Sequence, residues 1–136
     1  MSVISLIARI LLGLLFTFAG LSPLLMGNPP PMPGLVGTFN VVFYQSHWIF
    51  AIALAQFVAG LLLLANRYVP VALIILAGFM YNSLAFHALL MPSTLPIPLG
   101  VVGLWLIAAL PYRANFAALF TAKLQPRERV TSRALG

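Results

Sequence analysis

The chain has 136 residues, 62% of them hydrophobic and only 6% charged, with a mean hydropathy of +1.09. A water-facing domain carries about a quarter of its residues as Asp, Glu, Lys and Arg, so the outside of this protein must face lipid. The net charge of +6 is no nucleic-acid signal: Lys123, Arg127, Arg129 and Arg133 form a basic tail, while Arg9, Arg67 and Arg113 stand singly, a distribution suited to anionic headgroups. With no cysteine and Glu128 as the one acid, disulfides, thiolate redox pairs and carboxylate metal sites are excluded.

Apolar runs long enough to cross about 30 Å of hydrocarbon predict four spans. The first covers 3–26, with Arg9 placed to snorkel to the near interface. Phe18-Ala19-Gly20 loosely imitates a signal-peptidase site, but the apolar run continues past it and Arg9 follows apolar residues rather than leading them, so the segment is kept as a helix of the mature protein. A proline-rich break at 27–34 ends it. At 35–44, Leu35, Val36, Phe39, Val42 and Phe43 share one helical face and predict a short helix lying in the interface.

The second span covers 47–65 and carries Ala51, Ala55, Ala59 and Gly60, small residues that let a neighbouring helix approach. After the tight connection Asn66-Arg67-Tyr68, Pro70 opens the third span at 70–91, and the prolines at 92, 96 and 98 introduce the fourth at 95–110. Pro111 then leads into a second interfacial helix at 113–124. The expected architecture is an all-α integral membrane four-helix bundle, with one membrane domain over 1–125 and a basic tail at 126–136. Every lysine and arginine falls on the side of the two termini; the positive-inside rule makes that side cytoplasmic in a bacterial inner membrane.

Inside the membrane a polar side chain must be matched or used. Gln56 and Asn82 each lie about 13 Å from the same end of their helices at about 1.5 Å per residue, which predicts a hydrogen bond between spans two and three. His87 lies near the end of the third span with Ser83 one turn below it, and His47 stands at the mouth of the second. Two such histidines raise bis-imidazole haem ligation, a weak signal here and the disfavoured cofactor. Tyr44, Trp48, Tyr68 and Tyr112 take belt positions, whereas Tyr81 and Trp105 fall within spans and are expected to face the interior. The candidate ligand-binding residues are His87, Asn82, Gln56, Ser83, Trp105 and His47; no catalytic or metal-ligating residue is assigned.

Three stretches carry a family resemblance: Phe16 to Leu21, Ala55 to Pro70, and Tyr81 to His87 with its Asn…Phe-His pattern. In order and spacing, over 9–120, they resemble DoxX-like membrane proteins. The resemblance implies a four-helix inner-membrane protein, sometimes tied to oxidoreductase complexes, with quinone-reducing subunits of archaeal thiosulfate oxidation among its relatives. Gln56 stands where an acidic residue is common in that family, and Ser22-Pro23 follows Gly20-Leu21 where a lysine is common. The expected function is a non-catalytic membrane subunit or small-molecule-binding module serving a redox partner. The alternative is a quinone-binding subunit of a membrane oxidoreductase, with a small transporter third. Quinone is the cofactor class left open; the partners left open are a redox protein or a second copy of the chain.

Overall fold

The computed structural model describes residues 2–120; the basic tail, Glu128 and the end of the expected interfacial helix at 121–124 lie outside them. The order is α1 (Val3–Met26), α2 (Gly34–Gln45), α3 (Trp48–Leu64), α4 (Val69–Leu90), α5 (Pro96–Ala109) and α6 (Arg113–Ala117), with 3-10 turns at Pro92–Thr94, Leu110–Tyr112 and Ala118–Phe120. No strand occurs among the described residues. Val3–Met26, Val69–Leu90 and the run Pro92–Phe120 are each long and apolar enough to cross a membrane, and α2 with α3 makes a further candidate bent by 79°. The protein is therefore a helical membrane bundle.

Each boundary has a local cause. The side chain of Ser2 accepts from the Ser5 amide at the start of α1, satisfying a donor that no helical carbonyl reaches. Gly27 and Gly34 frame the proline-rich loop at φ 68° and 71°, the left-handed region where a Cβ would be strained. The elbow between α2 and α3 is made at His47, itself left-handed at φ 60°, with Ser46 Oγ accepting from the Trp48 amide at 3.4 Å. Pro111 does not stop the last helix: Leu110–Tyr112 tightens to a 3-10 turn and α6 continues. The span expected at 95–110 is thus the first part of a longer helical run.

The core is built on the antiparallel pair α1 and α3, the most extensive contact in the molecule, with α5 on the other side of α1 and α4 joining α3 to α5. Three glycines make the close approach possible. A Cβ on Gly20 would lie 2.6 Å from the Ala53 carbonyl oxygen, and one on Gly60 would lie 2.5 Å from the Thr17 amide nitrogen and hydroxyl. A Cβ on Gly13 would lie 2.9 Å from Leu64 Cγ. Lipid tails offer no hydrophobic drive between helices, so close packing through small residues is what holds such a pair. Leu12, Phe16, Leu63, Leu73 and Leu76 fill the centre as its largest fully enclosed side chains, and Phe16 meets Phe79 edge to face at 5.5 Å.

Two placements differ from expectation. Arg9 does not snorkel outward: it is 5% exposed and donates through Nη1 to the Leu63 carbonyl. The Gly13–Gly60 approach brings the end of α3 within its reach, and that end carries the negative pole of the helix dipole. Tyr81 does not face the interior but is 74% exposed on the lipid side of α4. The buried stripe of α4 runs through Ala72, Leu73, Leu76 and Met80, and the residue after Met80 turns about 100° away from it.

Candidate functional site

Towards the end of the bundle that carries the proline-rich loop, α3 and α4 enclose a groove roofed by α2. Its volume is about 750 Å³, within the range of small-molecule sites. Phe39, Val42 and Phe43 of α2 form the roof, and Trp48, Ala51, Ile52, Ala55 and Gln56 form the α3 wall. On α4 the wall includes Phe79, Asn82, Ala85 and Phe86, with Leu89 and Leu90 at the mouth. The roof is pinned by aromatic contacts: Phe39 lies 5.1 Å from Phe86 and stacks on Phe43 at 5.3 Å, and Phe43 lies 6.4 Å from Trp48.

Small side chains create the space. Ala51 and Ala55, which the sequence assigns to close helix packing, are exposed along the groove, while Ala53 and Gly60 meet α1 and Ala59 is enclosed in the core. The alanines at four-residue spacing therefore divide between two faces, one packed and one open.

Besides the indole N–H of Trp48 near the mouth, the groove holds two polar side chains, both amides. Gln56 is 7% exposed, faces the groove and has no hydrogen-bond partner among the described residues. The expected Gln56–Asn82 bond is not formed. Asn82 instead donates through Nδ2 to the Gly78 carbonyl at 2.9 Å, one turn back on its own helix. The two amides share a groove without sharing a bond. An amide in an apolar setting without a partner costs roughly 1–3 kcal/mol by protein-mutation measures.

The other candidates lie elsewhere. His87 is half-buried, and its Nδ1 meets Thr94 Oγ1 at 2.6 Å. The Thr94 hydroxyl also lies 2.8 Å from the Met91 carbonyl, which accepts from it. The ring is held from the turn after α4 rather than by Ser83 one turn below. Trp105 donates through Nε1 to the Leu73 carbonyl at 2.9 Å, tying α5 to α4, and its ring lies 6.3 Å from Phe116. His47 is exposed at the elbow beside Phe50. None of His87, Ser83, Trp105 or His47 lines the groove, and neither it nor the recess beside the proline-rich loop is lined by either histidine. The aromatic roof is not legible from the sequence, because its residues look like an interfacial helix face; Ala51 and Ala55, small residues on an apolar helix, are the available signal.

The fold and the groove define a small helical membrane protein with a lipid-accessible, uncharged recess. The DoxX family model matches residues 4–88, and the chain belongs to that family. The match takes in α1 to nearly the end of α4, hence the whole α3 wall and the roof, and stops short of α5. No curated protein and no solved structure matches the chain.

Proposed function

We propose that the protein is a non-catalytic membrane module that holds a small lipophilic molecule in the α2–α3–α4 groove and serves a redox partner in the membrane. The observation that carries this reading is Gln56, a residue 7% exposed whose amide has no hydrogen-bond partner among the described residues and opens onto an apolar groove. A bound molecule that keeps water out of the groove and supplies one hydrogen bond spares this amide the cost of standing unpaired in an apolar setting. Purification in mild detergent, solvent extraction and mass spectrometry test it: wild type should retain a stoichiometric lipophile and Gln56→Leu should lose most of it. Recovery of equal amounts from both proteins, or of nothing from either, would sink the idea.

A second reading, a quinone-binding subunit, is favoured by the same pair of amides, since their N–H groups suit quinone carbonyls and no charge stands in the groove. An oxidised-minus-reduced ultraviolet difference spectrum of the extract separates it from the first.

The same proposal places both termini on the cytoplasmic side of a bacterial inner membrane, on the strength of the one-sided cations. Reporter fusions at residue 136 and within 27–34 are expected to give opposite signals. Equal signals from the two positions would refute that orientation.

A further inference from the structure

The groove is built upside down relative to the leaflet around it. A phospholipid keeps its polar group at the interface and its tails at depth. Here the aromatic roof and Trp48 stand at the interfacial end, and the two amides lie deeper. Gln56 is eight residues along α3 from Trp48, or about 12 Å at about 1.5 Å per residue, and Asn82 is eight residues from the end of α4 at Leu90. Below Asn82 only Ile75, Leu76 and Phe79 line the recess. No lysine, arginine, aspartate, glutamate or histidine lines it at any depth.

We infer that the groove selects an uncharged single-chain lipophile with a hydroxyl or carbonyl at one end and holds it polar end inward, the head against Gln56 and the tail towards the mouth at Trp48. This rests on the groove-binding reading and adds to it the ligand's charge, its orientation and its entry from the leaflet on the α2 side. An ionised head carried to that depth meets two neutral amides and no counter-charge, a costly burial. An uncharged head gives up little hydration and gains the bond that Gln56 lacks. Gln56 offers both an N–H and a carbonyl oxygen, and Asn82, with one N–H committed to Gly78, keeps its oxygen free; a hydroxyl or a carbonyl is therefore accepted. The wide recess beside Ala51 and Ala55 leaves room for the chain to pass the roof.

Trp48 is a built-in reporter, since the chain has two tryptophans and Trp105 lies outside the groove. Trp105→Phe protein in phosphatidylcholine vesicles is titrated with two sixteen-carbon alcohols, one brominated near the hydroxyl and one at the tail end. The saturable part of the Trp48 quenching should be stronger with tail bromine. A matching alkyl sulfate should compete at least about tenfold more weakly than the unbrominated alcohol. Gln56→Leu should weaken the saturable part by roughly three- to tenfold, and Ala55→Phe, which fills the groove from its open side, should abolish it. The latter variant keeps the test available if Gln56→Leu fails to fold. Stronger saturable quenching from the head-brominated alcohol, or equal competition by the sulfate, overturns this inference while leaving a lipophile in the groove. Absence of a saturable component with either alcohol overturns the binding reading as well.

Discussion

Gly60→Leu is expected to prevent the bundle from assembling. A Cβ at this position would already stand 2.5 Å from the backbone nitrogen and hydroxyl of Thr17 and 2.9 Å from the Gly13 carbonyl oxygen, so α1 and α3 must part before any larger side chain fits. Backbone cannot step aside as a side-chain tip can, and this is the largest contact in the molecule. Gly60→Ala should cost about 1–3 kcal/mol as an overpacked core change. Gly78 supplies the control: a Cβ there meets nothing within 4 Å, so Gly78→Ala should be neutral or stabilising by up to about 1 kcal/mol from helix propensity. Thermal unfolding and size-exclusion profiles in one detergent compare the three variants. A Gly60→Leu protein that melts like wild type would mean that α1 and α3 do not meet this way.

Arg9 gives the second large effect, and its sign depends on the replacement. The guanidinium donates to Leu63 at the end of α3, yet its Nε is enclosed without a partner, and no acid lies among the described residues. The burial of the cation is therefore only half compensated. Truncation to alanine removes both the charge-assisted bond and the volume of a long buried side chain, a loss of about 3 kcal/mol on the scale of large-to-small changes. Arg9→Met keeps most of the volume and removes the unpaired nitrogen, and apolar replacement of a buried charge is often neutral or stabilising. The methionine variant should therefore lie within about 1 kcal/mol of wild type. Chemical or thermal denaturation decides it: equal destabilisation by alanine and methionine would show that the charge itself, not the packing, holds the two helix ends together.

Both cases show what was legible in the sequence and what was not. The apolar helices were, because each is a continuous apolar run whose ends are marked by Pro70, the 27–34 loop and the prolines after Met91, although α3 reaches span length only together with the bent α2. The helix α2 was legible from the shared face of Leu35, Phe39 and Val42. What such runs do not encode is rotation about the helix axis. When nearly every residue is apolar, no polar face tells which side looks inward, so Tyr81 was assigned to the interior and Arg9 to the interface. Equal depth placed Gln56 and Asn82 at one level, but pairing also needs the helices to stand close there. Asn82 instead satisfies itself on its own helix. His87 was read with Ser83 because four-residue spacing is local information; its partner Thr94 lies past the helix end, where a turn of unforeseen shape returns it to the ring. Gln56 was correctly singled out as a polar residue needing an explanation, and it lines the groove.

The elbow at His47 has a consequence for the bilayer itself. By bending 79° away from α2, α3 is left with 17 residues against 24 in α1, lengths of roughly 26 and 36 Å at the standard rise. One is shorter and the other longer than a hydrocarbon layer of about 30 Å. The two are locked face to face by glycines, so the pair cannot relieve this mismatch by sliding. Tilt would accommodate the long helix, and a bilayer is expected to thin beside the short one, at the α2 end of the groove. Each ångström of added membrane thickness carries a cost of a fraction of a kcal/mol, and in this protein that cost falls on the roof.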